Sequence, residues 1–182
     1  MCAAMPAARA VEPDSSSVAF QDWTVNCAKT TTSSAPPQAP AAKPAGKSAE
    51  PAPAAAPAKE ASACEMVQAF VEKGSQRLVA RIAIGRTGGA GELKLVIQTP
   101  IGVWIADGAS VSASDKVQAK AVYVRCTPTA CFAETEAKKD FLEAAKSAEK
   151  MSLTFPDGAR NPVAMAVSPK GFAAALAALE KR

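Results

Sequence analysis

Cysteine is the residue type in this 182-residue sequence whose chemistry and spacing say most, and it occurs five times, at Cys2, Cys27, Cys64, Cys126 and Cys131. Thiols serve as disulfide partners, metal ligands or nucleophiles. The chain contains no histidine, which excludes Cys–His and Ser–His–Asp nucleophile pairs, histidine metal sites and imidazole acid–base catalysis. A four-thiolate zinc site wants two C-x₂₋₄-C hooks. One hook is present, Cys126 with Cys131, at the long limit of that spacing. No C-x-x-C redox centre occurs, and disulfides are the chemistry left.

The first ten residues sharpen that reading. Met1 to Ala10 is small and apolar, and Ala8-Arg9-Ala10 fits the small-x-small pattern before a signal cleavage site. We read residues 1–10 as the tail of a secretory signal whose charged start and most of whose apolar stretch are missing. Cleavage after Ala10 removes Cys2 and leaves four cysteines, the even set expected for two disulfides in an oxidising compartment, periplasmic or extracellular. Four cysteines allow three pairings. The turn-prone spacer Thr127-Pro128-Thr129-Ala130 brings Cys126 within bonding range of Cys131, which leaves Cys27 for Cys64.

Carboxylates are the other candidate for chemistry. Asp107, Asp115, Asp140 and Asp157 could supply the pair that glycan hydrolysis requires, about 5–10 Å apart across a cleft. Asp107 and Asp157 each precede a glycine, a placement that turn chemistry explains without catalysis. Gly85 to Gly91 (GRTGGAG) lacks the Gly-Lys-Ser/Thr ending of a phosphate-binding loop and no helix follows it, so it reads as a hairpin loop. Trp23 reads as core. Trp104 reads as a core strand residue, with an exposed anchor for a partner as the alternative. No catalytic, cofactor-binding or metal residue is expected.

The elements that position these groups are mostly short strands. Alternation of apolar and polar residues predicts strands over 18–27, 64–73, 77–84, 92–98, 111–114, 117–126, 131–135, 151–155 and 162–167. Turn signals fall about every ten residues, at Gly74, Asp107-Gly108 and Asp157-Gly158 among others. Residues 137–150 change to helix-forming composition. A second helix closes the chain, with Ser168 as its cap, Pro169 at its first position, and Phe172, Leu176 and Leu179 at helical spacing. The pattern predicts a mainly β, antiparallel sandwich or barrel-like single domain over residues 11–182, with one or two short helices including a C-terminal one.

One segment does not fit that domain. Residues 28–63 hold 14 Ala and 7 Pro and no Val, Ile, Leu, Met, Phe, Tyr or Trp. Such a stretch has nothing large to bury against its ordering entropy, so it reads as a disordered loop insertion. A Cys27–Cys64 bond would pin its ends together and make it project from one domain rather than link two. The net charge of +4 falls to +3 without Arg9, and +2 of it belongs to this segment. The folded remainder is near neutral with mixed signs, which does not suit nucleic acid. No stretch reaches the 18 apolar residues of a membrane span.

Five motifs, in order, resemble the invasion-associated locus B family of bacterial envelope proteins. They are W-x-V-x-C at Trp23 to Cys27, C-E-M-V-Q at Cys64 to Gln68, T-P-I-G-V at Thr99 to Val103, V-R-C-x₄-C-F-A at Val124 to Ala133, and S-P-K-G-F at Ser168 to Phe172. The resemblance covers residues 20–27 and 64–182. It implies a secreted or periplasmic, mainly β protein with two disulfides and a part in host-cell invasion or envelope biology. The Pro/Ala insertion departs from the pattern, in which a short connection joins the first two cysteines. No catalytic residue is established for the family, so none is carried over. The expected partner is an unidentified protein or envelope component, with no cofactor; the sequence does not specify the oligomeric state.

Overall fold

The computed structural model describes residues 15–30, 61–86, 91–115 and 117–181. Ten strands form one antiparallel sheet that curls into a half-barrel, in the order β1-β2-β3-β4-β5-β8-β7-β6-β9-β10. In sequence they are β1 (Ser15–Phe20), β2 (Trp23–Thr30), β3 (Ala61–Val71), β4 (Leu78–Arg86), β5 (Leu93–Thr99), β6 (Ala109–Ser112), β7 (Gln118–Cys126), β8 (Cys131–Glu136), β9 (Met151–Pro156) and β10 (Pro162–Val167). Helix α1 (Lys139–Lys146) separates β8 from β9, and α2 (Phe172–Glu180) closes the chain. The first five strands run as a meander. The chain then crosses over the end of the sheet and returns as β6, β7 and β8 in reverse spatial order, so that β5 pairs with β8.

Period-two patterning decides which face is buried. Val25, Met66, Ile84 and Leu95 occupy successive register positions across β2 to β5 and are all buried. Both helices lay apolar stripes against this concave face, Phe141, Leu142 and Ala145 from α1 and Phe172, Leu176 and Leu179 from α2. Each large side chain so buried stabilises the fold by about 1.5–3 kcal/mol.

Four expectations need correction. The strand expected over 18–27 is a hairpin, β1 turning into β2 at Gln21-Asp22, with Gln21 in the left-handed region at φ 56°. Gln-Asp lacks the Asn-Gly or Asp-Gly signature of such turns, so the alternation read straight through it. Asp107-Gly108 joins no hairpin. Residues Ile105–Asp107 form one 3₁₀ turn, and Gly108 at φ 72° leads into β6, which pairs with β7 and β9. Ser168 and Pro169 do not start the last helix, because Gly171 stands at its N-cap with φ 86°. Finally, β2 runs to Thr30 and β3 starts at Ala61 with Thr30 opposite Ala61, so the ladder takes in three residues at each end of the 28–63 segment. Residues 31–60 lie outside those described, as do residues 1–10 with Cys2 and residues 87–90 of the glycine-rich loop joining β4 to β5.

Gly171 is where α2 meets the N-terminal hairpin. A Cβ built there lies 1.8 Å from the Phe20 carbonyl oxygen, on a backbone already at positive φ. Gly74 also has positive φ (99°) but nothing within 4 Å of its Cβ position. Gly171→Ala should therefore cost more than about 3 kcal/mol in urea unfolding and Gly74→Ala about 1–2, since only the first adds a backbone clash to the strain. Equal losses would show that α2 does not depend on this approach.

Candidate functional site

The four cysteines stand in two cross-strand pairs. Cys27 on β2 faces Cys64 on β3 with their sulfurs 2.16 Å apart, and Cys126 on β7 faces Cys131 on β8 with theirs at 2.02 Å. The second closes a tight hairpin that Thr127 organises: its N–H donates to the Ala130 carbonyl at 2.7 Å and its Oγ1 accepts from the Ala130 N–H at 3.1 Å. Arg125 lies over the Phe132 ring at 4.2 Å beside it.

The four aspartates are spread over the molecule. Asp140 accepts the Phe141 N–H at 2.8 Å, which fixes the first turn of α1. The Asp157 carboxylate accepts the N–H groups of Ala159 and Asn161, both at 2.8 Å, and the Asn161 side-chain amide at 3.1 Å. The Asn161 hydrogen bonds, backbone first, hold Asp157 below the usual carboxylate range, the opposite of what a general acid needs. Asp107 and Asp115 border different hollows, Asp115 together with Glu149. Asp107 stands 3.9 Å from the Arg160 guanidinium. Among the described residues no three cysteine or carboxylate side chains are grouped to hold a metal ion.

Sequence reasoning missed the buried amide of Gln68, which is 5% exposed. Its Nε2 donates to the carbonyls of Asp22 (3.2 Å) and Ser168 (3.3 Å), and its Oε1 accepts the Ser168 N–H at 3.0 Å. Ser168 Oγ donates to the Asp22 carboxylate at 2.5 Å, and Trp23 Nε1 donates to the Ser168 carbonyl at 2.8 Å. Trp23 meets Phe172 edge to face, centroids 5.1 Å apart at 87°. Three of the five motifs therefore converge at one knot. A fourth, T-P-I-G-V, turns the chain out of β5: buried Thr99 shares a 3.1 Å hydrogen bond with Tyr123, and Gly102 takes a φ of 84°. A glutamine at an inward register position, in line with Cys64, Met66 and Phe70 on β3, was the available signal.

The Trp104 expectation is overturned. Pro100 and Gly102 interrupt the strand, and Trp104 is 39% exposed with Arg160 over its ring at 4.4 Å. Its N–H donates to the Pro156 carbonyl at 3.2 Å, which seats this turn on β9. The adjoining 3₁₀ turn packs on β7, where Gly108 approaches Ala121 and Val122. Ile101, Ile105, Val122 and Val124, all more than half exposed, share this end of the sheet with Trp104. Val124 is the extra residue of a bulge in β7 opposite β8, a device that re-aims a side chain.

Similarity to known proteins points one way. Residues 52–180 match the family model described as invasion associated locus B protein. Invasion protein B homologs of Brucella abortus strain 2308 and of biovar 1 strain 9-941 are each 26% identical over 160 residues, covering 86% of this chain and 75% of theirs. The crystal structure of invasion associated protein b from Bartonella henselae superposes with a TM-score of 0.64 at 15% identity, over 91% of this chain and 95% of that one. That likeness concerns the fold.

The disulfides close loops of very different length, with sequence separations of 37 and 5. Replacing Cys27 and Cys64 together by alanine should lower unfolding free energy by about 4 kcal/mol, and replacing Cys126 and Cys131 by about 2. Denaturation of the two double variants checks this; a larger loss for the short loop would contradict it.

Proposed function

The chain belongs to the invasion associated locus B family, and from that premise we propose that it is a secreted or periplasmic protein that acts by binding. The reading rests chiefly on the exposed apolar end of the sheet. Isolated exposed apolar residues are ordinary on a protein surface, but four aliphatic ones at the same end of the sheet as a tryptophan under an arginine have the composition of a binding hot spot. Burial of Ile105 and Trp104 by a partner would be favourable, and Arg160 and Asp107 on the same rim would orient it. Two disulfides in a small β domain agree with an oxidising compartment. No helix among the described residues is long and apolar enough to cross a membrane. The curated relatives are named as invasion proteins, and a part in host-cell invasion or envelope integrity is the setting that follows for this chain. Catalysis by the turn aspartates is the weaker reading, since Asp140 and Asp157 spend their carboxylates on local backbone.

The test is retention of envelope or host-surface components on the immobilised protein. Trp104→Ala and Ile105→Ser should each weaken retention at least tenfold, about 1.4 kcal/mol or more, and Ile105→Ser should leave the melting temperature unchanged because Ile105 is 60% exposed. Undiminished retention by both variants, or turnover of a cell-wall glycan abolished by Asp107→Asn, would overturn the proposal.

A further inference from the structure

β10 is the last strand of the sheet, flanked by β9 on one side and by no strand on the other among the described residues. Which of its backbone groups face the open side follows from two observations. The Asp157 N–H donates to the Asn161 carbonyl at 2.9 Å, so these two residues face each other as a hydrogen-bonded position. The next pair, Pro156 with Pro162, has no N–H on either member, which suits a non-hydrogen-bonded position. Antiparallel ladders alternate, and the β9–β10 register runs without a shift to Val167 opposite Met151. Val163, Met165 and Val167 therefore spend their backbone groups on β9, while Ala164 and Ala166 direct N–H and C=O outward.

Among the described residues no strand pairs with that edge. The side chains at Ala164 and Ala166 are exposed methyl groups. No residue from Asn161 to Pro169 is charged. The strand lacks the lysines and bulges that commonly blunt sheet edges, and Pro162 at its start is its one blocking device. Beside it runs a groove of about 630 Å³ whose lining is mixed, with Met151, Met165 and Val167 on its apolar side and Asp115, Glu149 and Lys150 on its charged side.

We propose that β10 pairs with β10 of a second copy, antiparallel about a two-fold axis at Met165. Ala164 then faces Ala166 of the other copy and the reverse, and each pair exchanges two N–H···O bonds, so four bonds use every outward donor. Sliding one way sets Ala166 against Pro162, whose missing N–H leaves the Ala166 carbonyl without a donor. Sliding the other way sets Ala164 against Ser168, whose N–H already serves Gln68. The paired segment itself, Asn161 to Pro169, is uncharged, so two copies of it bring no like charges together within the ladder. The two copies would form one continuous sheet across an isologous interface.

Sedimentation of the full chain, from low micromolar to near-millimolar, should show mass rising from 18.6 kDa to twice that and no further. Amide exchange at Ala164 and Ala166 should slow over the same range, while Val163, Met165 and Val167 stay protected throughout. Ala166→Pro removes one outward donor and no β9 hydrogen bond, so it should abolish the dimer and leave the fold intact. A monomer at all concentrations with rapid exchange at Ala164 and Ala166 overturns the proposal. So do a dimer that survives Ala166→Pro unchanged and an open-ended series of oligomers, which would signal pairing of β10 with β1. Should Ala166→Pro fail to fold, the exchange pattern of the unaltered chain decides.

Discussion

A single buried amide joins the two ends of this chain. Gln68 spans the entry to β2 and the entry to α2, more than 140 residues apart in sequence, through hydrogen bonds to Asp22 and Ser168. An amide this deep costs little when its donors and acceptor are used, and would cost about 1–3 kcal/mol if left without partners. Its three bonds fix where Ser168 lies, and the Ser168 carbonyl in turn receives the Trp23 indole. That contact sets Trp23 edge-on to Phe172, and Phe172 starts the helix that closes the half-barrel. Gly171 completes the arrangement because nothing larger fits against the Phe20 carbonyl.

Most motif residues lie apart from the surface that carries the functional proposal, which shares Ile101 and Val124 with them. W-x-V-x-C, C-E-M-V-Q and S-P-K-G-F meet at the Gln68 knot, T-P-I-G-V turns the chain out of β5, and the C-x₄-C run staples a hairpin. Each has a structural reason to be what it is. Of the exposed apolar side chains, Trp104 and Ile105 belong to none of the five motifs, and Val122 lies just outside the last cysteine run.

The sheet was largely legible because period-two alternation is a local signal, as along β5, where buried Leu95 and Ile97 alternate with half-exposed Val96 and Gln98. The cysteine pairing was legible from a turn-prone spacer and elimination. What failed was non-local. The turn at Gln21-Asp22 has no glycine or asparagine to announce it, because the ladder partner on β3 and the seat of α2 hold the chain there. Asp107-Gly108 carries a hairpin signature but serves a crossover, since β6 finds partners that lie later in sequence. Trp104 looks like core from its neighbours Val103 and Ile105, yet Pro100 and Gly102 have already taken the chain out of the sheet. The Gln68 knot depends on residues about 100 positions apart, which no window along the chain can see.

The account as a whole requires that the molecule work as an oxidised scaffold outside the reducing cytosol. Peptide mass mapping under non-reducing conditions, on protein recovered from the envelope or the medium with thiols blocked at harvest, tests this most directly. The account predicts one linked peptide pair joining Cys27 to Cys64 and one loop closed between Cys126 and Cys131. Four blocked thiols, or crossed links between the two pairs, would contradict it.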